Sequence, residues 1–251
     1  MIVDYSMEYY QGILSQVMKW RAIPLNVLQE MSGYQGTKTS FYRAIRNLER
    51  RKLLKSTTFN GMSKIVTPTP ELASLTSKKF IGFQEESLNH EAIVTLLCCE
   101  ILTWEIFDSA RLPHEITGGV YDSGIRRLPD AIIEGQNKGS PFKMALEVEV
   151  TRKSKTRVQN KVEDYLKNDV FDFIFYVFNY RPTFEAYQRF IRETIQRPLF
   201  ERDQKNHEAR FILGFTPRLI GNKCKLNEFE LFYLGKKTNL EFVFGKRRDG
   251  K

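Results

Sequence analysis

Along the first fifty positions, apolar residues recur three or four apart. Between residues 5 and 19 they fall at Tyr9, Tyr10, Ile13, Leu14, Val17 and Met18, which predicts one face of a helix, with Tyr9 and Tyr10 on its buried side. Pro24 suits the first turn of a second helix that runs to about Met31. The stretch Ser32-Gly33-Tyr34-Gln35-Gly36 breaks it. A third helix, over about residues 37–52, buries Phe41, Ile45 and Leu48, with Leu53 just beyond, and turns Lys38, Thr39, Tyr42, Arg43, Arg46 and Arg50 outward. Two β-rich runs follow, at 53–58 and 63–67. Asn60-Gly61 between them is a hairpin turn signal. Pro68 and Pro70 mark a boundary, and a linker helix is expected over 71–79. The pattern therefore predicts a first domain over 1–70, a linker over 71–87 and a second domain over 88–251.

The second domain alternates between the two periodicities. A helix is expected over about 89–104, with Asn89 as its cap. Strands are expected at 111–116, 128–134 and 142–150, then a helix over 155–167. Residues 171–178, FDFIFYVF, form a continuous apolar run, as in a strand buried on both faces. A long helix over 183–201 and strands at 210–216, 230–234 and 240–244 complete the set. The fold class is α+β or α/β, a helical N-terminal module followed by a mixed-sheet domain.

Composition narrows the class. The 251 residues are 41% hydrophobic and 13% aromatic, which supports a packed core and excludes disorder as the main state. No apolar run approaches the ~18 residues of a membrane span, so no membrane insertion is expected. The first ten residues lack the basic start and apolar run of a secretory signal. Cys98, Cys99 and Cys224 show no CxxC spacing, which fits reduced thiols in the cytoplasm. The formal net charge is +9. Residues 1–70 carry +6 of it, 71–244 are neutral, and the last seven add +3. Basic ends around a neutral middle suit a polyanion, although ordinary solubility charge gives the same sum.

A turn followed by a basic-faced helix and a hairpin is the helix-turn-helix order with a wing. Lys38, Thr39, Ser40, Tyr42, Arg43, Arg46 and Arg50 are the expected DNA contacts. The alternative is a three-helix protein-interaction module with a solvated basic face. In the second domain, Asp130 follows Pro129 near the start of one expected strand, and Glu147 and Glu149 share a face of the next. An antiparallel hairpin through 135–141 sets Asp130 beside Glu147. Carboxylates so placed repel one another unless a cation joins them, and oxygen ligands favour Mg²⁺ or Mn²⁺. The alternative is a solvated edge hairpin with ion pairs to Arg126, Arg127 and Arg152. There is no GxGxxG, GxxxxGK[ST], HxH or HExxH, and no Ser or Cys stands out as a nucleophile.

Pro129-Asp130, sixteen residues, then Glu147-Val148-Glu149 resembles the PD-(D/E)XK motif of restriction-endonuclease-like nucleases. It departs in one place, where Glu149 stands at the usual lysine. In some members the lysine has moved to a nearby helix. Lys153, Lys155 and Lys161 are candidates for it, with Lys161 first, and Arg152, Arg157 and Gln159 extend the positive patch. The resemblance also implies an acidic ligand from the first core helix, where Glu91 fits, with Glu100 as second candidate. His90 beside it is either a DNA or metal-tuning contact or a helix-start or surface residue. A winged helix followed by such a domain resembles the MOBC-type relaxases of mobilisable plasmids and the related replication-relaxation proteins. That implies nicking of one strand at a transfer origin, with Asp130, Glu147 and Glu149 or Glu91 on the metal. It also implies duplex DNA, an accessory mobilisation protein and a coupling protein as partners. A double-strand endonuclease of transposase or restriction type shares these residues. A winged-helix regulator whose second domain has lost catalysis is the other alternative.

Overall fold

The computed structural model describes residues 8–58, 64–76, 85–116, 128–137, 139–219 and 225–245. They form a mixed α+β protein of two compact units, Met1–Leu96 and Leu97–Lys251. No helix among the described residues is long and apolar enough to cross a membrane.

In the first unit a single 3₁₀ turn, Glu8–Tyr10, leads into α1 (Gln11–Trp20). The short strand β1 (Ile23–Pro24) leads into α2 (Leu25–Met31), with Pro24 just ahead of its first turn. The next helix, α3 (Lys38–Arg50), is capped by Thr37, whose hydroxyl accepts the Ser40 N–H at 3.2 Å. Strands β2 (Leu54–Thr57) and β3 (Ile65–Pro68) pair antiparallel, and β1 adds to β3 to give the order β1-β3-β2. The Asn60-Gly61 turn signal lies outside the described residues. Ile13, Val17, Trp20, Leu28, Phe41, Ile45, Leu48 and Ile65 form the core, so the expected inner face of α3 is the buried one. Tyr9 corrects the expectation of a buried ring. It precedes α1 on the 3₁₀ turn, where the helical register does not apply, and is 61% exposed.

The two prolines do not stop regular structure. Pro68 ends β3, and Pro70 occupies the first turn of α4 (Pro70–Leu75), where its missing N–H costs nothing. The following helix, α5 (Glu85–Ile101), starts four residues earlier than Asn89, which is therefore interior and not a cap. The division between the units falls within this helix.

The second unit is built on a seven-stranded sheet. Its elements begin with β4 (Phe107–Arg111), β5 (Ala131–Asn137) and β6 (Ser140–Glu149), continue through α6 (Lys155–Leu166), β7 (Phe173–Phe178) and α7 (Arg181–Ile195), and then α8 (Gln204–Glu208) and β8 (Phe211–Phe215). A meander of β9 (Glu230–Tyr233) and β10 (Lys236–Thr238) and a last helix α9 (Leu240–Phe244) close it. The strand order is β10-β9-β8-β7-β6-β5-β4. Strands β6, β7 and β8 are parallel neighbours and the other pairs are antiparallel. The parallel steps are crossed by α6 and by α7, which share one apolar layer on the sheet, formed by Val162, Phe178, Phe184, Tyr187 and Ile191 among others.

Several boundaries differ from the periodicity, each for a local reason. The strand expected at 111–116 lies earlier, because Pro113 lacks an N–H and opens a 3₁₀ turn instead. The segment 135–141 is largely strand, with Ser140 and Pro141 already in β6. Gly135 and Gln136 continue β5, and a Cβ at Gly135 would sit 2.0 Å from the Ile106 carbonyl oxygen, so only glycine permits the close pass there. Residues 240–244 are a helix, with Asn239 accepting the Phe242 N–H at 2.8 Å.

Candidate active site and basic helix

The hairpin of β5 and β6 lies inside the sheet, with β4 on one side and β7 on the other. The solvated edge hairpin is thereby excluded. Ala131 pairs with Leu146, so Asp130, one residue before β5 and not within it, lies next in register opposite Glu147. Its carboxylate accepts the Val148 N–H at 2.7 Å, which pins the start of β5 to β6.

Glu147 is 1% exposed and lies on the sheet face covered by α6. Both of its oxygens are engaged from that helix. Lys161 Nζ donates to Oε2 at 2.5 Å, and the Tyr165 hydroxyl donates to Oε1. Four residues apart, Lys161 and Tyr165 lie one above the other on a helix face and grip one carboxylate. Burial pushes the Glu147 carboxyl up to about 7. Lys161 and Tyr165 pull it down, and the neighbouring Asp130 pushes it up. Glu149, 7% exposed, is also raised by burial. The Tyr187 hydroxyl and the charges of Lys153 and Lys161 counter that rise. Tyr187 nevertheless makes no hydrogen bond of normal geometry, so its effect on Glu149 is one of proximity.

Three tyrosines thus surround two glutamates, and none was singled out from the sequence. Tyr165 was legible as the residue one turn beyond Lys161. Tyr176 hides in the apolar run of β7 and meets Glu147 only through the parallel register that pairs them. Among the described residues its buried hydroxyl has no hydrogen-bond partner, and its ionisation is strongly opposed by burial and by both glutamates. Tyr187 arrives from α7.

Lys161 is the lysine the structure places on the carboxylates. Lys153 donates to the Thr151 hydroxyl at 3.1 Å, and Lys155 pairs with Glu193 at 2.8 Å. Gln159 also reaches Glu193, Arg152 lies over the Phe190 ring, and Arg157 is exposed beyond the Ser154 cap. Glu91 and His90 fall in the first unit, on the interior of α5, which removes the helix-start reading of His90. The Glu91 carboxylate lies 3.9 Å from Arg21. Glu100 accepts the Leu226 N–H. Arg126, Arg127 and Cys224 lie outside the described residues. Among the described residues, no three of His, Cys, Asp and Glu gather into a group able to hold a metal ion.

In the first unit the outer face of α3 is basic. Lys38, Thr39, Arg43, Arg46 and Arg50 are exposed, and Ser40 and Tyr42 are half-buried. Ser40 is partly committed, since its hydroxyl donates to the Thr37 carbonyl at 2.8 Å. Lys38 lies over the Tyr42 ring. The chain matches no family model, no curated protein and no solved structure.

Proposed function

We propose that this protein is a divalent-metal-dependent DNA endonuclease of the relaxase kind, nicking one strand at a plasmid transfer origin. One observation carries the reading. A fully buried carboxylate, Glu147, lies next in register to Asp130, the residue just ahead of the adjacent strand, and is held by a lysine from the following helix. Burying a carboxylate is costly, and a second acid beside it raises the cost. A sheet core retains such a group where its chemistry is used.

The donor set suits a hard cation in part. Glu147 on β6 and Asp130 just ahead of β5 offer carboxylate oxygens, and Mg²⁺ is commonly held by one or two carboxylates with substrate phosphate completing its shell. This pair takes the place of the expected set of Asp130 and Glu147 with Glu149 or Glu91. Bound there, Mg²⁺ or Mn²⁺ would polarise the phosphodiester and lower the pKa of an attacking water. Tyr165 fixes the orientation of Glu147. Lys161 supplies positive charge where negative charge accumulates on the phosphate. Hydrolysis adds the water oxygen to phosphorus and breaks one ester bond, leaving a nick.

The first unit fits DNA binding by a winged helix. A turn leads into α3 with its cationic outer face, and β2 and β3 follow as the wing. In this reading α3 holds the origin duplex, within an assembly that includes an accessory mobilisation protein and a coupling protein. Glu149 at the usual lysine position favours a second reading, a DNA-binding regulator without catalysis.

Supercoiled plasmid carrying its own origin, incubated with the protein and Mg²⁺ or Mn²⁺, should yield open-circular product that is absent with chelator. Linear product would instead indicate a double-strand endonuclease. Tight binding with no cleavage at any cation concentration would overturn the enzyme in favour of the regulator.

A further inference from the structure

Beside the first turn of α3 lies a concavity that plays no part in the carboxylate site. Gly12 on α1 passes so close to the end of α2 that a Cβ there would meet the Ser32 carbonyl oxygen at 2.1 Å. This approach shapes a hollow of about 510 Å³, lined by Tyr9, Gln11, Ser15, Ser32, Tyr34 and Gln35 among others. Its two aromatic rings are braced. The Tyr9 and Tyr34 hydroxyls are 2.5 Å apart, and their rings meet edge to face at 5.5 Å. Tyr34 rests in turn on the buried Phe41 ring at 5.4 Å, and Tyr9 on Tyr10 at 5.2 Å. Gly36 permits this, since a Cβ there would lie 2.4 Å from the Tyr34 ring.

An aromatic ring as exposed as Tyr9, held in place by the Tyr10 and Tyr34 rings, is arranged to receive something flat. The rest of the lining offers the Gln11 amide and the hydroxyl and amide oxygens of Ser15, Ser32 and Gln35, whose own donors bond backbone carbonyls, so it presents mainly acceptors to the amino edge of a nucleobase. No lining residue is basic, and Glu8 at the margin disfavours a phosphate inside. The chain that lines the hollow at Ser32–Gln35 runs on into α3, whose first half carries the exposed Lys38 and Arg43. Neutral aromatic hollow and adjacent cationic helix together match one unpaired base with its backbone on the helix.

We propose that Tyr9 and Tyr34 form a stacking site for a single unpaired DNA base next to the duplex held by α3. The inference rests on the DNA-binding reading of α3 and adds a preference for DNA that is locally unpaired. Such DNA arises where a strand is opened for nicking.

The test compares two short duplexes with the full chain at low salt. One is fully paired, and the other carries a single bulged 2-aminopurine. Wild type should bind the bulged duplex about tenfold more tightly and quench its fluorescence. Tyr9→Ala should abolish both the preference and the quenching while leaving paired-duplex affinity unchanged. Tyr9→Phe, which keeps the ring, should retain both. Arg43→Ala with Arg46→Ala should weaken both duplexes alike and flatten the salt dependence. Equal wild-type affinity for the two duplexes overturns the stacking site and leaves the α3 reading standing. Loss of preference in Tyr9→Phe equal to that in Tyr9→Ala also overturns it. Quenching by free 2-aminopurine nucleotide at the same affinity reassigns the hollow to a small-molecule ligand. No binding to either duplex overturns both readings together.

Discussion

Glu147→Gln and Asp130→Asn are each expected to lower nicking of supercoiled DNA by about a thousandfold, with DNA affinity unchanged. Both substitutions keep shape and one acceptor oxygen and remove charge. In Glu147→Gln the amide oxygen still accepts from Lys161 or Tyr165, so the strand and α6 stay together. In Asp130→Asn the amide oxygen still accepts the Val148 N–H that anchors β5. A folding defect is therefore a poor explanation for a lost reaction, and thermal unfolding of the same variants checks this. On the proposed reading affinity is preserved, because α3, in the other unit, is the element that would hold the duplex. Gel separation of open-circular from supercoiled DNA reads the first effect, and fluorescence anisotropy the second. Nicking at the wild-type rate by either variant would remove that carboxylate from the site.

Lys161→Ala is expected to destabilise the protein by about 1 kcal/mol more at pH 8 than at pH 5, because the Glu147 carboxyl loses the counter-charge that lets it ionise above 7. The loss depends on pH, and its sign follows from Glu147. The folded carboxyl titrates at about 7 against an ordinary 4.5, so the native state binds the extra proton between those values. Stability from this group is fully present below about 4.5 and is lost as pH rises through 7. Without Lys161 the folded carboxyl rises further, and the loss extends to higher pH. The gap between wild type and variant should thus be small at pH 5 and largest at pH 8. Urea denaturation at the two values measures it. An equal gap at both would show that Lys161 contributes packing and not charge.

Much of the first unit was readable because its signals are local. The outer and inner faces of α3 follow from a 3.6-residue period, and the strands of the hairpin from a turn dipeptide between β-rich runs. Tyr9 escaped that logic because it precedes the helix, and its hydroxyl meets Tyr34 from the segment between α2 and α3. In the second unit the carboxylates on β6 and the lysine of α6 were legible from alternation and from helix placement. The tyrosines were not. Tyr176 is one apolar-run residue among eight until the parallel pairing of β6 with β7 sets it beside Glu147. The composition of the metal-ligand set was also beyond reach of spacing. Glu91 lies on the expected helix, but that helix is divided between the units, and the residue falls on the side of Arg21. Residues 240–244 mislead because five mostly apolar residues fit strand and helix equally, and the Asn239 cap decides.

The central claim is that Asp130 and Glu147 share one divalent cation. Titration of Mn²⁺ into the full chain by calorimetry tests it most directly. One binding event per chain is expected for wild type, with none for Asp130→Asn or Glu147→Gln. Binding that persists undiminished in both variants, or no binding to wild type at all, would contradict it.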